Sequence, residues 1–408
     1  MKILHGKYNS AKVFTDNIEE TASSQIVKLL DQDFVSGAKV RIMPDTHAGA
    51  GCVIGFTADL GKKVIPNLVG VDIGCGMQVV KLGNIGVDLN ELDSFIHKSI
   101  PSGHNIYESS LVRFGQIESL FCFDYLKNIN KFNRAIGTLG GGNHFIELDM
   151  DDYGDVYLVI HSGSRNLGKQ VADFYQDVAV DFCKESSFSL KDLRDKAIES
   201  LKKEGKQHLI SSKLKEIEEY YSELQPKYPK ELCFLEGLNR DQYLHDMEVC
   251  QEYASLNRKT MANVILEELL GSNLEDHEEF ETIHNYISFH DGIIRKGAVS
   301  AYEGEELIIP INMRDGSIIA KGKGNSDWNF SAPHGAGRLM GRMEAKRSLS
   351  MSEFSSSMEG VFSTTVNEST LDEAPMAYKP MQEIIDNIQD TVEIIDVIKP
   401  IYNFKSVE

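Results

Sequence analysis

The pattern of apolar and polar positions predicts short β-strands on both sides of a long helical block. Lys, Glu and Leu recur at amphipathic helical spacing from about residue 185 to 236, and a further helical run extends from about 241 to 270. The pattern at residues 380–408 predicts a helix followed by a short strand. Runs rich in β-branched residues predict the other strands, at 39–43, 77–82, 145–148, 156–160, 307–311 and 317–320.

This order of elements predicts an α+β fold, in which residues 185–270 form a helical insertion between two β-rich halves. Apolar residues make up 41% of the 408 residues and charged residues 25%, so the chain can bury a large core. We expect a cytoplasmic protein, because the N-terminus lacks the apolar stretch of a signal peptide and no run of 18 apolar residues occurs.

The formal net charge of −20 argues against broad, nonspecific binding of nucleic acid, which depends on neutralising phosphates with Lys and Arg. A nucleic-acid site would therefore have to be a local basic patch on an acidic body. The six cysteines form no CxxC pair, which makes a disulfide framework improbable. Each cysteine alone is best explained as a small buried apolar residue.

Glycine is concentrated in four stretches, at 47–76, 137–142, 163–168 and 322–341, and most of the candidate histidines lie in or beside them. Any single glycine is most simply part of a tight turn. Four clusters that coincide with His, Asp and Asn instead indicate backbone that approaches a ligand closely.

Five residues, four of them in or near these stretches, could bind divalent transition metals, although each alone is more often structural. Asp72 and Cys75 are separated by two residues in VDIGCGM, and His144, His161 and His284 lie at strand or loop junctions. Imidazole, thiolate and carboxylate donors together suit such ions. Because the five span more than 200 positions, they fit a catalytic site, with two ions and Cys75 between them, better than a closed structural zinc site.

A fourth candidate histidine, His334, precedes a glycine-rich turn in SAPHGAGR, after which we expect a helix to begin. The free N–H groups of a helix start attract phosphate. Arg338, Arg342 and Lys346 would then share one helical face, either as a solvated basic face or, as we favour beside His334, as an RNA track. Asp45 and His47 in MPDTHAG are either part of the metal site or residues of a plain turn.

Taken in order, these motifs resemble the RtcB family of RNA-splicing ligases over essentially the whole length of the chain. The blocks that carry the resemblance are MPDTHAG, VGVDIGCGM, GTLGGGNHFIEL, HSGSRNLG, an HN pair at residue 284, and SAPHGAGR. The resemblance implies a single catalytic domain over residues 1–408, with a mixed β-sheet core around a central metal and nucleotide cleft.

The family resemblance further implies joining of RNA 3′-phosphate or 2′,3′-cyclic phosphate ends to 5′-hydroxyl ends, with GTP as co-substrate and two Mn²⁺ ions. It places the metal on Asp72, Cys75, His144, His161 and His284, and the GMP on His334. RNA and an archease-like activator are the implied partners, and a monomer is the simplest expectation. Residues implied to contact the nucleotide are Asn143, Glu147, Arg165, Gly335, Ala336, Gly337, Tyr378 and Lys405.

Two departures from the family pattern affect these expectations. Well-known members end in Lys-Gly, whereas Lys405 is followed here by three more residues, and Ala332-Pro333 precedes His334 where many members have a cysteine. Two other functions remain open. One is a metal-dependent phosphoesterase acting on cyclic phosphate ends without ligation, and the other is a non-catalytic RNA- or nucleotide-binding protein with a structural metal.

Overall fold

The structure is a computed structural model that describes residues 1–184 and 190–406, so the expected start of the helical block at residue 185 lies outside it. The strands are β1 Lys2–His5, β2 Ser10–Val13, β3 Val40–His47, β4 Ile54–Ala58, β5 Gly76–Gly83, β6 Phe145–Met150, β7 Val156–Ser162, β8 Glu278–Ile283, β9 Asn285–Ile287, β10 Ile294–Lys296, β11 Ala298–Ser300, β12 Glu306–Asn312, β13 Gly316–Gly322, β14 Ser331–Pro333 and β15 Val392–Lys405. The α-helices are α1 Glu20–Leu30, α2 Leu89–Ser99, α3 Phe132–Ala135, α4 Arg165–Phe182, α5 Leu190–Lys203, α6 Ile210–Glu223, α7 Gly237–Leu270, α8 Arg342–Ser348, α9 Met351–Ser357 and α10 Met381–Ile388.

The largest sheet is antiparallel, with the strand order β12-β13-β15-β6-β7-β5-β8. Its edge strands β12 and β8 contact each other, so the sheet curls into a nearly closed barrel. A second sheet has the order β1-β2-β3-β4-β10-β9, and only β2 and β3 pair in parallel within it. Helices pack on these sheets, which confirms the predicted α+β fold.

Side chains alternate between two apolar layers along the strands of the barrel. Val79 and Val159 point to the inside, whereas Val80 and Leu158 point outward and pack against α2 and α7. The second sheet has its own core, in which α1 and α4 take part. Successive side chains of the predicted strands at 77–82 and 156–160 point alternately into the two layers, because each strand lies between them.

The helical block consists of two parts with different environments. The helices α5 and α6 bury only Tyr221 among their residues. The 34-residue helix α7 is instead built into the protein: its first half packs in the core of the second sheet and its second half against the barrel. Buried residues are distributed around the whole of α7, and even Asp246 is buried, which explains how the helix contacts both layers.

The strand predicted in the tail is much longer than expected. β15 covers 14 residues and lies inside the barrel sheet, pairing first with β13 and then with β6. Two register shifts let one strand serve both neighbours, and polar residues such as Asp396 and Asn403 obscure its apolar alternation. Among the described helices, none is long and apolar enough to cross a membrane.

Candidate active site

The loop before β5 brings Asp72 and Cys75 to the open end of the barrel. Glycine is required on both sides of Cys75. At Gly74, where φ is +73°, a Cβ atom would lie 2.8 Å from the Cα of Gln251 on α7. At Gly76, a Cβ atom would lie 2.0 Å from the carbonyl oxygen of Thr282 on β8. The DIGCG sequence therefore reflects a loop pressed between a helix and a strand.

His144 and His161 reach the same point from neighbouring strands. His144 immediately precedes β6, His161 lies near the end of β7, and Phe145 pairs with His161 across the two strands. The Sγ atom of Cys75 lies 3.5 Å from Nε2 of His144 and 3.3 Å from Nε2 of His161. All three side chains are buried, and their donor atoms lie within 4.8 Å of one another, so they could hold a metal ion.

Asp72 completes one side of this cluster. Its Oδ2 atom lies 3.1 Å from Nε2 of His144, and its Oδ1 accepts a hydrogen bond from the backbone N–H of Ser164 at 3.1 Å. Nδ1 of His144 donates to the carbonyl oxygen of Leu139 at 2.9 Å, which leaves the lone pair on Nε2. A Cβ atom on Gly163 would collide with the Asp72 carboxylate, which accounts for the glycine after Ser162.

His284 reaches the cluster from the end of β8. Its backbone N–H donates to the carbonyl oxygen of Cys75 at 2.9 Å, and its ring lies 5.2 Å from that of His161, centre to centre. Within the described part of the chain, Nδ1 of His284 is buried and has no hydrogen-bond partner. A buried, unpaired ring nitrogen beside three other donors fits a fourth metal ligand.

Burial sets the protonation of these donors. It lowers the pKa of His161 and His284 well below the usual value, with help from neighbouring histidines, so both rings are neutral at pH 7 and can donate lone pairs. Burial and the nearby Asp72 carboxylate raise the pKa of the Cys75 thiol well above its ordinary value. A cation between these groups would reverse that effect and favour the thiolate.

His334 follows β14, and its ring lies 4.8 Å from the ring of His284. Asp45, at the end of β3, binds it twice: Oδ2 accepts from Nδ1 at 2.7 Å and from the backbone N–H at 3.1 Å. Since the Asp45 carboxylate accepts from Nδ1, the lone pair of the neutral ring is on Nε2. Asp45 is fully buried, which makes this orientation rigid.

The helix expected directly after SAPHGAGR does not begin there. Gly337 has a φ of +76° and lies so close to Asp45 that a Cβ atom would be 2.0 Å from its carbonyl oxygen. Arg338 then pairs with Tyr378 in an isolated β-bridge, and α8 starts only at Arg342. The left-handed glycine and this extended pairing end the helical pattern, so Arg338 does not share a helical face with Arg342.

Four of the five metal-ligand candidates, all except His144, line one cavity of about 270 Å³ together with His334. Three predicted site residues do not line this cavity, namely His144, Arg165 and Lys346. Predicted site residues that line the cavity are Asp72, Cys75, Asn143, Glu147, His161, His284, His334, Gly335, Ala336, Gly337, Arg338, Arg342, Tyr378 and Lys405.

A family model described as "tRNA-splicing ligase RtcB" matches residues 25–122 and 123–406. The chain belongs to the RtcB family. The protein named "RNA-splicing ligase RtcB" from Escherichia coli K12 is 29% identical over 94% of both chains. The "tRNA-splicing ligase RtcB" of Nanoarchaeum equitans is 26% identical over 84% of this chain and 83% of its own.

In this RtcB-family chain, Glu373 also lines the cavity and holds several cationic side chains together, although the sequence motifs did not identify it as a site residue. Glu373 accepts a hydrogen bond from the Tyr378 hydroxyl at 2.6 Å and lies 2.9 Å from Nζ of Lys405. Nη1 of Arg338 and of Arg342 lie 3.2 and 2.8 Å away. Although burial opposes it, these cations hold the pKa of Glu373 at about 2. Its position in EAPMAYK, beside Tyr378, was the signal that could have identified it.

The predicted RNA track is thus neutralised in part by acidic residues. Arg342 and Lys346 also contact Asp372, at 2.7 and 3.3 Å. Lys346 and Asp372 do not line the cavity and offset each other's charge, whereas Arg338, Arg342 and Lys405 line it and face the carboxylate of Glu373. An excess of two positive charges therefore remains at this wall, which favours an anionic ligand.

Asn143 and Glu147, which were also predicted to contact the nucleotide, line the same cavity. Lys405 donates to the carbonyl oxygen of Asn143 at 3.1 Å. Glu147 accepts from Nδ2 of Asn403 at 2.5 Å, and burial raises the pKa of Glu147 to about 7. His47 also lines the cavity, and burial lowers its pKa to about 4, so it is neutral at pH 7.

The Arg165 side chain forms hydrogen bonds with the surrounding loops. Its Nη2 donates to the carbonyl oxygen of Gly103 at 2.8 Å and its Nε to Oγ1 of Thr138 at 3.2 Å. It begins α4 with a φ of +55°, a conformation that non-glycine residues rarely adopt. A Cβ atom on Gly140 would overlap the guanidinium, so the GGG sequence leaves space for this side chain.

Proposed function

We propose that the chain is a GTP-dependent RNA ligase that joins 3′-phosphate or 2′,3′-cyclic phosphate ends to 5′-hydroxyl ends. The observation that carries the proposal is the position of His334. Its ring lies against His284 of the metal-ligand group, Asp45 fixes its orientation, and both histidines face one cavity. A nucleophile beside a metal centre in a cavity with excess positive charge suits transfer of a nucleotidyl group.

In the first step, Nε2 of His334 attacks the α-phosphorus of GTP. A phosphorus–nitrogen bond forms, the bond to the bridging oxygen breaks, and pyrophosphate leaves. Asp45 stabilises the positive charge that develops on the imidazole, since its carboxylate already accepts from Nδ1 at 2.7 Å. Divalent ions held by Asp72, Cys75, His144, His161 and His284 would neutralise charge on the phosphates.

A 2′,3′-cyclic phosphate end must first add water, which breaks the bond to the 2′-oxygen and leaves a 3′-phosphate. An oxygen of the RNA 3′-phosphate then displaces His334 from the GMP, and the RNA 5′-hydroxyl, losing its proton, displaces GMP. A terminal phosphate is a poor electrophile because it has no good leaving group, and capping it with GMP supplies one. The excess positive charge around Glu373 would bind the phosphates. Glu147, Lys405 and Tyr378 would contact the base, and Mn²⁺ is the proposed ion.

The decisive experiment uses GTP labelled at the α-phosphate, with Mn²⁺ and no RNA. We expect an acid-labile covalent adduct on the wild type, none on His334→Ala, and wild-type labelling on the control His208→Ala. His208 is exposed on the surface between α5 and α6. If no adduct forms but cyclic phosphate ends are hydrolysed, the phosphoesterase alternative replaces this proposal. Neither adduct nor hydrolysis would favour the binding-protein alternative.

A further inference from the structure

Two consecutive polar residues of α7, Asn257 and Arg258, lie fully buried beneath the metal-ligand candidates. Neither lines the cavity, and neither has a part in the chemistry proposed above. A buried guanidinium is expensive unless its donors are satisfied, so the partners of Arg258 indicate what the residue is for.

The partners of Arg258 belong to three chain segments that carry ligand candidates. Nη1 donates to the carbonyl oxygens of Gly74 at 2.8 Å and Ser162 at 2.7 Å, which are neighbours of Cys75 and His161. Nε donates to the Glu281 carboxylate at 2.9 Å, and Glu281 lies three residues before His284 on β8. One rigid fork of donors thus connects all three segments.

Asn257 adds the fourth segment. Its Oδ1 accepts from the backbone N–H groups of Gly137 and Thr138, and its Nδ2 donates to Oγ of Ser162 at 3.0 Å. Oγ of Ser162 donates in turn to the carbonyl oxygen of Leu139 at 2.8 Å. The carbonyl oxygen of Leu139 also accepts from Nδ1 of His144. This chain of hydrogen bonds therefore connects Asn257 to the group that orients His144.

We propose that Asn257 and Arg258 are positioning residues that hold Cys75, His144, His161 and His284 at metal-binding distances. The inference deepens the proposed function, because it concerns the metal centre of the same site. Groups behind the ligands determine the orientation of each donor, and their loss typically weakens metal affinity 10- to 100-fold. The helix that the sequence presents as part of an insertion is therefore the support of the metal centre.

A merely structural role would lower stability without changing the affinity for metal, and α7 offers a matched control. Asp246 lies on the same helix and is equally buried. Its carboxylate accepts from the backbone N–H groups of Phe121 and Cys122 and from the Tyr175 hydroxyl. None of these partners belongs to a segment that carries a ligand candidate.

The test compares full-length wild type with Arg258→Lys, Asn257→Ala and Asp246→Asn. Binding of Mn²⁺ is measured by isothermal titration calorimetry without GTP or RNA, and thermal unfolding is recorded for each apoprotein. We expect Arg258→Lys and Asn257→Ala to weaken Mn²⁺ binding roughly 10- to 100-fold. Asp246→Asn should unfold at a lower temperature and yet bind Mn²⁺ within about twofold of wild type.

Wild-type Mn²⁺ affinity in both Arg258→Lys and Asn257→Ala would overturn the proposal, however far their stability falls. If these variants do not fold, Glu281→Gln takes their place, since it removes the charge that orients the guanidinium from a partly exposed position. Unchanged Mn²⁺ affinity in Glu281→Gln would also overturn the proposal, and a several-fold loss of Mn²⁺ affinity would support it. Failure of the His334 adduct with Mn²⁺ binding intact would count against the ligase proposal alone.

Discussion

The carboxylate of Asp45 binds both the ring and the backbone of His334, accepting from Nδ1 at 2.7 Å and from the N–H at 3.1 Å. Asp45 and His334 are 289 positions apart, and β3 and the end of β14 bring them together. We therefore expect Asp45 to take part in the proposed chemistry, a role that its sequence alone left undecided.

Replacing Asp45 by Asn should slow formation of the GMP adduct by roughly 10²- to 10⁴-fold. An amide cannot stabilise the imidazolium and can impose the wrong ring tautomer. The measurement is single-turnover labelling with α-labelled GTP, and Asp327→Asn on the surface is the control. Labelling of Asp45→Asn at the wild-type rate would show that the contact has no catalytic role.

Replacing Cys75 by Ala should abolish the stabilisation that Mn²⁺ gives to the folded protein. At a Mn²⁺ concentration of 100 times Kd, that stabilisation is about 2.7 kcal/mol, because the ion binds only the folded state. Chemical denaturation with and without Mn²⁺ measures it. Cys250→Ala, which removes a fully buried thiol from α7, should lower stability but keep the Mn²⁺ response. Equal responses in the two variants would rule out Cys75 as a ligand.

Replacing Glu373 by Gln should weaken GTP binding and lower stability together. The change leaves Lys405, Arg338 and Arg342 facing one another without their shared carboxylate, at a cost of about 3 kcal/mol. We expect KM for GTP to rise about tenfold while the labelling rate at saturation changes less. Asp372→Asn, which does not line the cavity, should leave KM near wild type. The reverse ranking of the two variants would contradict this account of the wall.

Glu147 gives the stability of the protein a distinctive pH dependence. Its pKa is raised by burial from 4.5 to about 7, so between these values the folded state binds a proton that the unfolded state has lost. Stability should therefore fall as pH rises from about 4.5 to 7, by at most about 3 kcal/mol. Urea denaturation across this range should show the loss in wild type and a smaller one in Glu147→Gln. Parallel curves would show that Glu147 is not responsible.

Much of the architecture could be predicted because its signals are local. The runs at 77–82 and 156–160 alternate between the two faces of a sheet, and the helical run predicted at 241–270 lies within α7. The 14 residues of β15 were underestimated, since its two register shifts and its polar positions follow from its partners β13 and β6. The helix expected at Arg338 failed because contacts of Gly337 with Asp45 are also nonlocal.

For the site, the sequence by itself identified the proposed donors and the proposed nucleophile, because Asp72, Cys75, His144, His161 and His334 stand in or beside glycine-rich motifs. Only the tertiary structure decided which other groups surround and orient these proposed donors and the proposed nucleophile. Glu373, Asp45 and Arg258 act through partners tens to hundreds of residues away, and their burial gives each contact its strength. A linear pattern contains residue types, but only the packed fold specifies which distant charge is buried beside which donor.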